Sequence, residues 1–474
     1  MRVSSWRAEL AVPTAELRWA PYPYRGGFCI TDDTDAADLE SVRIVYDFMD
    51  SLGLRATKTV WVFPPEEPSG IPALPTSISR GVTLADPAYL NYCRTLATRG
   101  VEIALHGATG GNNSRELIQR AFAVLDENFP PAGTYICHAK NADNPYWQEK
   151  VVARGPLALA LRLYARSHQC SGEDPASRYF WGDLCRQRLR YIRLLRTRRI
   201  NTLAANPSMP YFEREKPLVP GWFSATKRSF HEATSVEALD ELERDWGVCV
   251  LYQYMCRHAD NSTGRVHAAF AAGAERLAAR RRVWTDTVTR LLDRLRLMQG
   301  VFLASRGNEL VLVNTNEEAL EGVQIEVKAR LSAPLEDVRA TDGVVAIQRL
   351  APGELRRLSF AEPLRAVGRT ALAVGRDGTG RADFGHGHFF LNAGERSWAA
   401  APGVRVAPGS FALRFAPGLE ELQPRSRASD IELTRLFVEQ SAIIAREVLF
   451  KGRPLDTNRL VSDETVMLGN QDNW

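Results

Sequence analysis

Gly27-Phe28-Cys29-Ile30, then the acidic turn Thr31-Asp32-Asp33-Thr34-Asp35, then a run from Leu39 to Leu52 and an apolar stretch from Ala56 to Phe63, set the architecture of this chain. A short apolar run that ends in turn residues reads as a buried strand. Leu39, Val42, Val45, Tyr46, Met49 and Leu52 recur at helical spacing, and Gly53 stands where a helix stops. Strand, acidic loop, helix and strand make a βαβ unit.

The pattern then repeats. A helix over Pro87 to Arg99 is stopped by Gly100, a buried strand Val101 to Leu105 ends at His106, a helix follows from Ser114 to Phe129, and a strand Thr134 to Cys137 ends at His138. Ile200 to Leu203 and Val248 to Tyr252 are further strand candidates, with helices over Ser235 to Glu243 and Val266 to Ala279. Such alternation implies a parallel sheet, and a stretch of this length favours a distorted (β/α) barrel. From about residue 300 short strands separated by Gly, Asn or Pro replace the helices, which reads as a β-sandwich-like domain. A periodic apolar run then predicts a C-terminal helix from Ser429 to Phe450, closed by Gly452. The expected organisation is an α/β barrel over 1–298, a β-rich region over 299–422 and a helical segment over 423–474.

Composition narrows the function classes. The 474 residues carry 60 Lys and Arg against 56 Asp and Glu, a net charge of +4, too small and too dispersed to grip a nucleic-acid backbone. Seven cysteines, at 29, 93, 137, 170, 185, 249 and 256, are scattered and free of any Cys-x-x-Cys spacing, which argues for reduced thiols in a cytoplasm. No stretch reaches the roughly 18 uncharged apolar residues of a membrane helix. Nor is there a P-loop, a dinucleotide fingerprint, a nucleophile elbow or a His-Glu-x-x-His motif.

Chemistry is expected just beyond the strands. Asp32 and Asp33 sit on one turn, where two carboxylates call for a divalent cation, one binding it and the other acting as a base; equally, the acidic run to Asp38 caps the next helix. His106 closes an apolar strand and is followed by Gly107-Ala108-Thr109-Gly110-Gly111-Asn112-Asn113, either a ligand loop or an ordinary one. His138 opens the loop Ala139-Lys140-Asn141-Ala142-Asp143-Asn144-Pro145-Tyr146-Trp147. Asn112, Lys140, Asn141, Tyr146 and Trp147, with Trp181, suit a sugar, whose ring faces stack on aromatics while its hydroxyls need hydrogen bonds; aromatics are also ordinary core residues. His386 and His388 lie on one face of a strand, lack a third ligand and read as structural. The arginine run from Arg186 to Arg199 reads as a solvated helix face, with a phosphate-bearing ligand as the alternative.

Taken in order, Thr31-Asp32-Asp33, His106 after a buried strand, the His138 loop and the late strand Val248 to Tyr252 resemble the polysaccharide deacetylases, the carbohydrate esterase family 4 or NodB-homology proteins. The resemblance covers roughly residues 20–298. It implies a glycoside hydrolase/deacetylase barrel and a metal-dependent hydrolase that removes an N- or O-acetyl group from a glycan or sugar precursor, as in bacterial surface-polysaccharide synthesis. Carried over, Asp32 is the base and Asp33 a ligand of a divalent metal, usually zinc, with His106 as a second ligand. Three positions depart from the pattern: Gly107 stands where a Ser or Thr usually follows the first metal-binding His, Gly110 where the family has its second metal-binding His, and Tyr254 where it has a catalytic His. His138 is then the candidate third metal ligand, and Tyr254 or His258 the proton donor to the leaving group. Two alternatives stay open: a glycan-binding or scaffolding protein that has lost the chemistry, and a glycosidase pairing Asp32 with Asp183 or Asp143 across about 5 to 9 Å.

Overall fold

The computed structural model describes residues 12–67, 80–138, 141–147, 170–211, 216–314 and 316–367, together with the backbone of strands at 371–374, 379–383, 388–392 and 412–415. Lys140, His386 and the helix expected over Ser429 to Phe450 lie outside the described residues. The described residues divide into two compact units: Tyr24–Asp293 lies in one, and the residues up to Pro23 join those of Arg294–Ser426 in the other.

Strand β1 (Thr14–Arg18) belongs to the second unit. The first is a closed parallel barrel of β2 (Gly26–Asp32), β3 (Thr57–Val60), β4 (Glu102–Leu105), β5 (Thr134–Ile136), β6 (Tyr191–Thr197), β7 (Trp222–Thr226) and β8 (Val248–Gln253). Each strand pairs with the next, and β8 returns to β2 in a continuous register from Gly27 opposite Val248 to Asp32 opposite Gln253. All residues of β2 and β8 are buried, which is why both read as unbroken apolar runs rather than alternating ones. A short hairpin of β9 (Ala259–Asp260) and β10 (Arg265–Val266) follows, and β11 (Val283–Thr285) lies parallel to the start of β2. Close approach requires glycine at the beginning of β2, since a Cβ at Gly26 would meet the Leu242 carbonyl at 2.9 Å.

Helices α1 (Leu39–Ser51), α2 (Pro87–Thr98) and α3 (Arg115–Asn128) cover the first strands. Each begins where a side-chain oxygen accepts from a first-turn backbone N–H: Asp38 from Ser41, Asp86 from Ala88 and Tyr89, and Ser114 from Leu117. Their buried faces, Val42, Val45, Tyr46 and Met49 in α1, carry the periodic apolar residues that pack on the barrel. Later helices run Val236–Arg244 and Ala268–Ala279.

Two expectations fail in the middle of the barrel. Residues Ile200 to Leu203 are not a strand: Asn201 caps a short helix, Thr202–Ala205, by accepting from the Ala204 N–H at 3.0 Å. The arginine run is not one solvated helix face either. Only Gly182–Arg188 is helical; the next arginines lie on β6, where Arg193 and Arg196 are each 3% exposed. A bulge between Arg193 and Leu195 inserts one residue, so that two arginines three apart both approach the ring of Tyr252 on β8, at 4.2 and 5.4 Å.

The second unit holds two sheets. Strands β12 (Val301–Arg306), β13 (Glu309–Asn314), β14 (Leu320–Val327), β15 (Val338–Thr341), β16 (Val344–Leu350), β17 (Leu355–Ser359) and β18 (Arg365–Val367) are followed by β19 (Ala371–Val374), β20 (Thr379–Asp383), β21 (His388–Asn392) and β22 (Ala412–Phe415). One sheet has the order β15-β16-β14-β1-β18 and the other β17-β13-β12-β19-β20-β21-β22, which gives the β-rich region expected after the barrel. β1 runs antiparallel to β14 and is fixed by Arg18, which pairs with Glu326. Among the described residues no helix is long and apolar enough to cross a membrane.

Candidate metal centre

The chemistry-bearing residues meet at the C-terminal ends of the barrel strands, where a parallel barrel leaves its loops free to build a site. Asp32 closes β2 and is sealed beneath that end. Its carboxylate meets Lys58 Nζ at 3.0 Å and accepts from the Tyr46 hydroxyl and the Met255 N–H, both at 2.8 Å. Burial pushes its carboxyl up, while Lys58 and these two hydrogen bonds pull it back. Lys58 is itself wholly buried, so this is an internal ion pair.

Asp33, one residue on, faces a different partner. Its backbone N–H donates to the Gln253 carbonyl, and its two carboxylate oxygens accept a forked pair of hydrogen bonds from Arg193 at 2.9 and 2.7 Å. Arg193 also donates to the Thr31 hydroxyl at 3.1 Å and lies over the Tyr252 ring. Nothing in the motif pattern singled out Arg193. The available signal was a charged residue inside the apolar run Tyr191-Ile192-Arg193-Leu194-Leu195, since an arginine on a buried strand needs an anionic partner.

Two residues further, Asp35 joins the histidines. The ligand atoms of Asp35, His106 and His138 all lie within 4.8 Å of one another. Asp35 Oδ2 is 3.2 Å from His106 Nε2, and Oδ1 is 3.1 Å from His138 Nε2. The turn that delivers Asp35 puts Ala36 at φ 58°, the left-handed region that a non-glycine residue adopts only under constraint. Ala36 N–H donates to the Arg80 carbonyl at 2.7 Å and holds that turn. Gly107, immediately after His106, also has a positive φ, 84°, which explains glycine where the resembled family has Ser or Thr.

The far side of each imidazole decides what can lie between them. His106 Nδ1 is 2.9 Å from the Ile136 carbonyl, which only accepts, so Nδ1 carries the hydrogen. His138 Nδ1 is 3.0 Å from Asn141 Oδ1, whose orientation is set because Asn141 Nδ2 donates to the Gly111 carbonyl at 2.6 Å. Both Nε2 atoms therefore turn toward one carboxylate. Either both buried imidazoles are doubly protonated there, or a cation accepts all three lone pairs, and the acceptor-bound Nδ1 on each ring is how metal-ligating histidines are oriented. Burial by itself would raise the Asp35 carboxyl, but the His138 charge and the hydrogen bonds to both imidazoles outweigh it and hold it well below the usual range. The donor set, two imidazoles and a carboxylate, fits a divalent ion of the zinc type.

The remaining sequence candidates divide. Asn141 orients His138, and Asn112 accepts from the Ala142 N–H at 2.9 Å, so both serve the loop from inside. Trp181 is buried against Phe122 and Tyr135 and donates to the Asp143 carbonyl; it belongs to the packing, as does the 1% exposed Trp147. Tyr146 is half-buried at φ 51° and lies against Trp222. Tyr254 accepts from the Tyr252 hydroxyl at 2.6 Å and so stands next to the Arg193–Asp33 pair. His258 instead stacks on Phe270 at 4.6 Å and its Nε2 donates to Gln253 Oε1; burial, with the charges of His267 and Arg257, pushes it down to about 4. Asp183 forms a surface pair with Arg115 and Asp143 accepts from Asn113, so neither stands free to pair with Asp32 as a glycosidase acid. All seven cysteines are buried free thiols.

No family model matches the chain, and no curated protein does. Among solved structures, Puue allantoinase aligns with 58% of this chain and 92% of its own length, at 11% identity and a TM-score of 0.32. Agd3, described as a novel carbohydrate deacetylase, aligns with 72% of this chain at 10% identity and a TM-score of 0.38, and the chain spans 66% of its length. Likeness at this level leaves the chemistry to be argued from the site alone.

Proposed function

We propose that the protein is a metal-dependent hydrolase that removes an acetyl group, as amide or ester, from a glycan or sugar precursor. One observation carries the reading: two imidazole Nε2 atoms converge on the Asp35 carboxylate while a second carboxylate, Asp33, lies 3.8 Å from one of them in the grip of Arg193. Asp35, His106 and His138 would hold the ion, most simply zinc. A divalent cation there supplies a Lewis acid for an acyl oxygen and lowers the pKa of water.

In this reading the roles of the paired carboxylates shift along the chain. Asp33, not Asp32, takes the proton from water, and Asp35, not Asp33, ligates; Asp32 is committed to Lys58. Arg193 fixes the plane of Asp33 through the forked contact. Tyr254 is the donor to the leaving group. Its oxygen accepts from the Tyr252 hydroxyl, which links it to the ring that Arg193 covers. His258 has no part in it, being committed to Gln253 and Phe270. Seven buried free thiols support a reducing compartment such as the cytoplasm.

The test is elemental mass spectrometry of the purified protein, followed by assay of acetate release from acetylated sugars. Near-stoichiometric metal in wild type, lost in Asp35→Ala and His106→Ala and kept in Asp33→Asn, is expected. Wild-type protein that takes up no zinc on addition would overturn the hydrolase reading in favour of a glycan-binding one.

A further inference from the structure

The hydrogen bond at Nδ1 fixes one point of each imidazole but leaves the ring free to tilt about it. Something else must set the planes. Trp61 directly follows β3 and is 1% exposed. Its ring lies nearly parallel to His106, centroids 6.1 Å apart at 23°, and meets His138 edge-on at 5.4 Å and 89°. Its indole Nε1 also donates to the His106 carbonyl at 3.0 Å, so it holds that residue by backbone and ring together. The two imidazoles are thereby kept at 78° to one another, 5.2 Å apart.

Trp61 reaches the third ligand through the segment at 80–84. Its carbonyl accepts from the Leu84 N–H at 3.0 Å, and the same segment clamps the Asp35 turn, with Ala36 N–H on the Arg80 carbonyl and Val82 N–H on the Ala37 carbonyl. Gly81 lets the segment in: a Cβ there would meet the Thr34 carbonyl at 2.9 Å and the Trp61 ring at 3.0 Å. The indole thus lies between Gly81, which abuts the acidic turn at Thr34, and both histidine rings.

We propose that Trp61 is the positioning residue of the metal centre, setting the planes of both imidazoles and, through residues 80–84, the approach of Asp35. The inference rests on the reading of Asp35, His106 and His138 as ligands. Supporting groups of this kind change metal affinity by about 10 to 100-fold when removed, because the ligands must then be ordered at the moment of binding.

The experiment loads purified full-length wild type, Trp61→Phe and Trp61→Leu with cobalt(II), reads the visible ligand-field spectrum, measures affinity by chelator competition and records Tm alongside. Trp61→Leu should bind cobalt at least tenfold more weakly with shifted bands. Trp61→Phe, which keeps a ring but loses the donor to the His106 carbonyl, should fall between it and wild type. A merely structural tryptophan would lower Tm and leave spectrum and affinity of the folded variants unchanged, and that result overturns the proposal. If Trp61→Leu does not fold, Trp61→Phe decides alone: a wild-type spectrum and affinity refute the inference. Wild type that binds no cobalt fails the metal reading itself, and is told apart from failure of the Trp61 inference by that first measurement.

Discussion

A double-mutant cycle on Lys58 and Asp32 separates a structural ion pair from a catalytic carboxylate. Both side chains are fully enclosed, at 3.0 Å, and Asp32 keeps two other donors, the Tyr46 hydroxyl and the Met255 N–H. Removing one member of a buried pair costs about 3–5 kcal/mol, because the other charge is left without a counterpart. Lys58→Met should fall at the lower end, about 3 kcal/mol, since those two hydrogen bonds remain. Asp32→Asn should cost about 4 kcal/mol, since Lys58 then retains only its contact with the Thr59 carbonyl at 3.2 Å. Together they remove both charges, so the double variant should lose only about 1–3 kcal/mol, and the coupling should exceed about 2 kcal/mol. In urea at pH 7, followed by tryptophan fluorescence, a loss of about 3 kcal/mol moves the midpoint by about 1 M at a slope of about 3 kcal/mol/M. Additive losses, or an Asp32→Asn protein of wild-type stability that has lost hydrolysis, would refute the reasoning and return the base to Asp32.

Other consequences are as direct. Asp33→Asn should keep metal while lowering kcat by at least about 100-fold, the usual contribution of a general base, which metal analysis and acetate release measure together. His258 is depressed from 6.5 to about 4, so the unfolded chain binds its proton first as pH falls. The stability it contributes is complete above pH 6.5 and is lost as pH drops through about 4, a decline of about 3 kcal/mol. His258→Phe should flatten that part of a stability-against-pH curve; an unchanged slope between pH 6.5 and 4 counts against the assignment. Gly107→Ala forces a side chain onto φ 84°, with its Cβ 3.1 Å from both Asn113 Nδ2 and the Thr109 carbonyl, and should cost about 1–2 kcal/mol and weaken metal binding. Calorimetry and zinc titration of that variant check both effects.

The barrel was legible where burial on two faces leaves a plain apolar signature, as in β2 and β8, and where a cap and a glycine bracket a helix, as in α1 with Asp38 and Gly53. It was not legible in β6, whose arginines hide a buried strand because their partners, Asp33 and the Tyr252 ring, come from distant strands. β1 escaped notice for a related reason: Thr14-Ala15-Glu16-Leu17-Arg18 is half polar and is made a strand by β14, not by its own composition. At the site, placement beyond strand ends picked out His106 and His138. The contacts of Asp32, Asp33 and Asp35 were beyond it, since they depend on a left-handed Ala36 and on which cation each carboxylate meets. Local spacing cannot encode a partner more than a hundred residues away.

The pairing of β1 also bears on how the chain is made. Ala15 lies opposite Val327, so the first strand is synthesised about 310 residues before its antiparallel partner. At about 5–20 residues per second a ribosome takes about 15–60 s to cover that distance, while the whole barrel between them has been completed. The barrel unit is in effect an insertion within the β-rich one, and it can close first, as its strands all lie between Gly26 and Thr285. Expression of the barrel alone is therefore best begun at Tyr24, because starting earlier carries along a strand whose neighbours among the described residues, β14 and β18, have been cut away.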